Sequence, residues 1–191
     1  MHIRFPQIET ARLKLRAPVP EDVRPLESLW SDPDVTKYIP IILFRTREEL
    51  EEFIPLTRQR WTERGFGMLI VTTKENDTVI GYCGLQFLNS SPQVEIYYGF
   101  SKNAWDQGFA TEAARSMLRF AFETAKLESV AGVTQPENTA SQKVLEKIGL
   151  KKDPEMKTFY DNVCVYFTIS REDFSPDDSP YKLTYEEQGE E

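Results

Sequence analysis

Phe100-Ser-Lys-Asn-Ala-Trp-Asp-Gln-Gly-Phe-Ala-Thr-Glu-Ala-Ala-Arg115 carries an alternating strand through a glycine turn straight into a long helix. The first turn of a helix presents backbone N–H groups with no intrahelical partner and carries partial positive charge, so an anion such as a phosphate can be held there largely by main chain. Gly108 lets the backbone approach a ligand closely or take positive φ, and Ala110 keeps the next contact small. Ala113, Met117, Phe120, Ala121 and Thr124 recur at helical spacing, so one face of the helix packs on a core and its N-terminus is fixed. Taken alone, Gln107-Gly108 also reads as an ordinary turn between strand and helix.

Outward from this stretch the chain alternates strands and helices. Ile8 to Arg16 ends in an alternating run, Leu13 and Leu15 against Arg12, Lys14 and Arg16, which reads as one first strand. A helix follows from Pro20-Glu21-Asp22, with Val23, Leu26, Leu29 and Trp30 on one face and Asp32-Pro33 as its stop. Val35 to Tyr38 and Ile39 to Phe44 read as an apolar loop or short helix. Thr46 and Glu49 have capping-box spacing and start a second helix through Leu50, Phe53, Ile54, Thr57 and Trp61 to Gly65, with Pro55 as a candidate kink. Gly67–Thr73, Val79–Leu88 and Gln93–Ser101 read as an antiparallel meander. After the central helix come a short strand at Val130–Thr134, a helix from Asn138 to Ile148 stopped by Gly149, and a hairpin turning at Asp161-Asn162. The fold class is α+β, a mixed central sheet with an antiparallel meander and one parallel pairing, flanked by about four helices.

At 191 residues the chain is long enough for one domain with a substantial core, assigned to residues 1–174. Residues 175–191, Pro-containing and acidic, read as a solvated, poorly ordered tail. A hydrophobic content of 40% is globular, and no apolar run approaches the roughly 20 residues that a membrane span requires. A net charge of −8 argues against nucleic acid as a partner and suits a cationic acceptor better. Two cysteines, Cys83 and Cys164, in apolar settings and an N-terminus with no apolar signal core point to a cytoplasmic protein. His2 is the only histidine, no metal-ligand spacing occurs, and neither cysteine shows the surroundings of a nucleophile.

Trp-x-x-Gly-x-Ala-Thr-Glu-Ala, preceded by a strand with Glu95 and followed by Asn138-Thr-Ala-Ser-Gln-Lys-Val-Leu-Glu-Lys-Ile-Gly149, resembles the GNAT acyl-CoA N-acetyltransferases. Within them the chain is most similar to the ribosomal-protein N-terminal acetyltransferases, from about Ile8 to Phe174. The resemblance implies acetyl-CoA as co-substrate, bound by Phe100, Ser101, Gln107, Gly108, Phe109, Ala110, Thr111 and Asn138, and no metal. The acceptor it implies is an amine, such as the N-terminus of a protein, transferred to by a monomer or homodimer. A polyamine, an amino-acid derivative or an amine antibiotic are other acceptors of the same chemistry. An acyl-CoA-binding sensor without turnover is a rival of another class.

Period-two geometry puts Glu95, Tyr97 and Gly99 on one face of their strand and Val94, Ile96, Tyr98 and Phe100 on the other. Glu95 reads equally as a solvated or cross-strand-paired carboxylate; the resemblance makes it a general base acting through water. Asn138 is a favoured N-cap, and the resemblance adds a contact to the pantetheine arm. Ser141 falls where a serine approaches the thiol and could protonate the departing thiolate. Two departures stand out. Leu145 occupies the position where many relatives carry a tyrosine acid, and Trp105 replaces the usual Arg or Gln at the opening of the phosphate loop, where it reads as packing. Tyr38, Trp61 and Tyr97 are candidates to line the acceptor cleft, although aromatic residues are more often core.

Overall fold

The computed structural model describes residues 5–39 and 46–186. The chain opens not with one strand but with two, β1 (Pro6–Glu9) and β2 (Leu13–Arg16), paired antiparallel. Thr10 makes the corner: its N–H donates to Leu13 O at 2.9 Å while its hydroxyl oxygen accepts from the Leu13 N–H at 3.1 Å. The alternation of the sequence survives the turn, so Ile8, Leu13 and Leu15 are all buried.

A 3₁₀ turn at Pro20–Asp22 leads into α1 (Val23–Ser31), and α2 (Pro33–Thr36) restarts after Asp32 caps the Asp34 N–H. α3 (Arg47–Arg64) begins in the expected box, with Thr46 and Glu49 capping each other reciprocally. It continues through Pro55 and stops at Gly65, whose φ of 75° is the left-handed end that glycine allows. β3 (Met68–Thr73), β4 (Val79–Phe87) and β5 (Val94–Phe100) form the meander. α4 (Phe109–Arg119), prolonged by a π turn over Phe120–Thr124, crosses to β6 (Ser129–Thr134). α5 (Thr139–Lys147) then leads to β7 (Lys151–Lys152), β8 (Lys157–Phe159) and β9 (Asn162–Ser170). The β8–β9 hairpin turns at Tyr160-Asp161, one residue before the expected turn, since Phe159 pairs with Asn162 and both turn residues have positive φ.

The strand order is β10-β1-β2-β3-β4-β5-β6-β9-β7, with β8 paired to β9. β10 (Lys182–Tyr185) lies in the acidic segment expected to be solvated. The physical reason is twofold: β1 has an edge to pair, and Tyr181 and Leu183 pack against the main core. On one face of the sheet α4 and α5 cover a core that includes Leu69, Leu85, Met117, Leu118, Leu145 and Phe167. On the other, α1 and α3 cover Met68, Ile70 and Tyr82.

The pairing that positions the site is the weakest in the sheet. β5 and β6 run parallel and share one bridge, Glu95 with Ala131. Beyond it no further residue pair joins the two strands among the described residues, which leaves a gap in mid-sheet.

Candidate active site

A cavity of about 1000 Å³ opens at this gap and is lined from both faces of the sheet. Its size is that of a small-molecule or cofactor pocket.

On the α4 side the wall is built by a turn that a side-chain clamp holds rigid. Gly108 sits at the N-cap of α4 with φ 79°, a conformation that an L side chain adopts only with strain. The N–H groups of Phe109, Ala110 and Thr111 lie in the first turn and point away from the helix with no intrahelical acceptor. Arg12, from the turn before β2, donates to Glu112 (Nε to Oε2, 2.7 Å) and to Gln107 O (2.9 Å) and stacks over the Phe109 ring at 4.4 Å. The Thr10 hydroxyl and the Arg12 backbone N–H donate to Glu112 Oε1. Although burial pushes the other way, these bonds hold the Glu112 carboxyl below its ordinary range. The clamp joins residues about a hundred apart, a contact that the alternation around Arg12, which marks only a wet strand face, does not signal.

Phe100, Gly108, Phe109, Ala110, Thr111 and Asn138 all line the cavity. Ser101 and Gln107 do not: Ser101 N–H donates to Ile80 O, and the Gln107 side chain is turned to Asn103 O. Trp105 departs from the packing expected of it, being 41% exposed, with its indole N–H donating to Phe100 O at 2.8 Å. It fastens the end of β5 to the loop and contributes to the cavity wall.

Asn138 caps α5, its Oδ1 accepting from the Ser141 N–H at 3.1 Å. Ser141 Oγ lies 3.1 Å from the Tyr98 hydroxyl, which also donates to Ser141 O at 3.2 Å, so a strand tyrosine holds the first turn of α5 across the parting. Leu145 is 1% exposed and packs into the core against Gly132. Its side chain also reaches the cavity wall, where it offers no proton donor.

Glu95 stands where β5 and β6 separate, 3% exposed and lining the cavity. Its Oε1 accepts from Gln86 Nε2 at 2.8 Å and from the Tyr160 hydroxyl. Among the described residues no hydrogen bond falls on Oε2. Burial raises the Glu95 pKa, and the two bonds, which favour the anion, oppose that rise. Tyr160 is placed by a second device. Its φ of 51° is uncommon for an aromatic residue, and Asn89, itself at φ 45°, ties it from the β4–β5 turn. The Asn89 N–H donates to the Tyr160 hydroxyl at 3.1 Å, and the Tyr160 N–H donates to Asn89 Oδ1 at 3.3 Å. Gln86, Asn89 and Tyr160 were not singled out from sequence; Gln86, directly across from Glu95 in the strand register, was the findable one.

The aromatic candidates divide. Tyr38 and Tyr97 line the cavity, with Trp30, Phe53 and Tyr82 beside them. Trp61 is instead a core residue, 4% exposed, its indole N–H donating to Met68 O at 2.8 Å and its ring edge-on to Phe120. Cys164 also reaches the cavity wall, but burial raises its pKa, which keeps it a thiol. Among the described residues no group of three or more His, Cys, Asp or Glu could hold a metal. No helix among them is long and apolar enough to cross a membrane.

The sequence pattern of the acetyltransferase (GNAT) domain matches residues 12–151. The chain belongs to the GNAT acetyltransferase family. It is 32% identical over 151 residues to an uncharacterized N-acetyltransferase, p20, of Bacillus licheniformis, covering 78% of this chain and 85% of that one. The structure of a GNAT-family acetyltransferase from Bacillus anthracis superposes with a TM-score of 0.73 at 27% identity, over 87% of this chain and 99% of that one. RimL, a ribosomal L7/L12 α-N-protein acetyltransferase solved with coenzyme A, shares the fold at a TM-score of 0.70 and 13% identity, over 84% of this chain and 95% of that one. As a GNAT protein the chain is an acyl-CoA-dependent N-acetyltransferase.

Proposed function

We propose that the chain transfers the acetyl group of acetyl-CoA to a primary amine, the α-amine at the N-terminus of a peptide or protein, by direct attack on the thioester. The observation that carries this reading is the single-bridge contact of β5 with β6, which leaves a gap between an anion-binding helix terminus on one side and a buried carboxylate on the other.

The residues fit the donor. Three first-turn N–H groups of α4 and a left-handed glycine with no side chain in the way suit a diphosphate. The Asn138 side-chain amide, already oriented by its capping bond, suits the pantetheine arm. Backbone N–H groups freed where β5 leaves β6 suit the carbonyl oxygen, which gains negative charge as the amine adds.

The reaction forms one C–N bond and breaks one C–S bond. The attacking nitrogen must lose a proton, and Glu95 is the acceptor, directly or through one water. An α-amine of pKa about 8 asks less of that base than a lysine of about 10.4 does. Burial raises the basicity of Glu95, while Gln86 and Tyr160 favour its anion and hold Oε1 in place. On the other face Ser141, held by Tyr98, donates a hydrogen bond to the departing thiolate, which ends as the thiol by taking up the proton that the amine sheds. The two free, buried cysteines suit the reducing cytoplasm.

The test is thiol release from acetyl-CoA over a panel of peptides with different first residues, read with mass spectrometry of the products. Acetylation at the α-amine is the expected result. CoA binding with no thiol release on any amine would leave a donor-binding sensor in place of an enzyme.

A further inference from the structure

One face of α3 presents Phe53, Thr57, Arg60 and Arg64 to the cavity, at successive spacings of four, three and four residues. Two of them are unsatisfied. Thr57 is 2% exposed and its hydroxyl has no hydrogen-bond partner among the described residues. Arg60 is half-buried, and among the described residues no ion pair or hydrogen bond is made by it. Two residues earlier on the same helix, Arg58 finds both Glu186 at 3.5 Å and Pro18 O at 3.0 Å. In a chain with 31 acidic and 23 basic residues, a half-buried arginine that lines a cavity and pairs with no described carboxylate is costly unless something arrives to pair with it.

What arrives is an anion, and the geometry says from which substrate. The donor's phosphates belong to the α4 terminus on the opposite face of the sheet. Arg60 belongs to the face of Glu95 and Tyr97, where the acceptor enters. Tyr97 lies two residues along β5 from Glu95, about 7 Å on the same face. Tyr97, Arg60 and Glu95 line the same cavity; burial pushes the Tyr97 phenol up, Glu95 adds to that rise and Arg60 opposes it.

On the acetyl-transfer reading, we infer that the acceptor is an amine that also carries a carboxylate, received by the Arg60 guanidinium with the Thr57 hydroxyl beside it. The amine then lies toward Glu95 and the carboxylate toward α3, a separation that an acidic amino acid or an acidic first residue of a peptide spans. A guanidinium takes a carboxylate bidentately, which orients as well as attracts. The same site repels a polyamine: its second ammonium would face Arg60 and Arg64, and the one carboxylate of α2 on the cavity wall, Asp34, is already paired with Lys102.

The experiment compares kcat/KM for C-terminally amidated tetrapeptides that begin with Asp, Asn or Lys, for the single-residue α-amides of aspartate and asparagine, and for spermidine, with wild-type protein and Arg60→Met. Methionine keeps most of the stem and removes the charge. Wild type should prefer each carboxylate acceptor over its amide counterpart by at least about 10-fold. Arg60→Met should lose about 10- to 100-fold on the carboxylate acceptors and bring that ratio near one, while Arg60→Lys keeps part of it. The single-residue and peptide forms of aspartate tell an amino-acid acceptor from a peptide one. An unchanged ratio in Arg60→Met, or a wild-type preference for Lys or spermidine, overturns the inference while leaving acetyl transfer intact. If no amine is acetylated, the acetyl-transfer reading falls, and calorimetry of the Asp peptide against CoA-loaded protein decides the rest. Binding that Arg60→Met abolishes supports the anion site; absent or equal binding refutes it.

Discussion

Replacing Glu95 by Gln separates chemistry from architecture at this site. Gln offers a carbonyl oxygen where Oε1 now accepts from Gln86 and Tyr160, so both bonds and the shape survive. It removes the group that takes the amine proton. A positioned base is worth about 10²–10⁴ in rate, or about 3–5 kcal/mol of barrier at about 1.4 kcal/mol per decade. Turnover at neutral pH should fall by that factor while CoA affinity stays put. Stability moves the other way. Burial raises the folded pKa of Glu95 above its unfolded value. A raised acid stabilises below the unfolded value, about 4.3, and that contribution is lost as pH rises through the folded value. Above the folded value the ionised, buried carboxylate is therefore a cost that Gln removes. The variant's Tm should equal or exceed wild type at pH 7.5, with a difference that shrinks toward pH 4. The assay is a pH series of kcat/KM with melting curves on the same two proteins. Rate should partly recover at high pH, where more amine arrives deprotonated. A variant as active as wild type, or one whose rate falls together with its Tm, refutes the role given to Glu95.

Tyr160→Phe removes a donor that favours the Glu95 anion, so the acidic limb of kcat/KM should move to higher pH; an unmoved limb in a stable variant leaves Tyr160 as hairpin packing. Ser141→Ala should lower kcat by about 10-fold or more with CoA affinity measured by calorimetry unchanged, and equal losses in both would make the serine only a helix start. Gly108→Val places a branched residue at φ 79°, which should cost about 1–2 kcal/mol of stability in chemical denaturation and weaken CoA at least 10-fold. Glu112→Gln should cost about 1 kcal/mol at neutral pH, a modest figure because Arg12 is half exposed. Since the Glu112 pKa is depressed, that loss should vanish as pH falls through the folded value.

What was legible in the sequence was whatever a local pattern specifies. The capping box at Thr46 and Glu49, the glycine ends of α3 and α5 and the helical stripe of α4 each need only a dozen residues of context. Period two along β5 put Glu95 and Tyr97 on one face and Tyr98 on the other, and the structure keeps that division. Contacts made across the chain were not legible. Tyr160 meets Glu95 from 65 residues away, and nothing about an aromatic residue in a turn announces a carboxylate partner. The opening strand reads as one because Thr10 reverses direction without breaking the alternation of apolar residues. Trp61 obeys its helical stripe but lies where that stripe turns into the core, whereas Thr57, one turn earlier on it, and Arg60 beside it meet the cavity.

β10 pairs with β1 in a register that sets Pro6 against Tyr185, so the sheet's outer rung joins residues nearly a full chain length apart. Such a pairing contributes nothing until almost everything between is in place, and closing so long a loop is the last and slowest kind of contact to form. It is also the most easily released, an outer strand held by four residue pairs and a few side chains. The segment thus behaves as a clasp rather than a beam: it opens alone, well before the sheet does, and exposes the edge of β1 each time. Amide hydrogen exchange at Gln7 and Glu9 would report how often that happens in a protein that is otherwise fully folded.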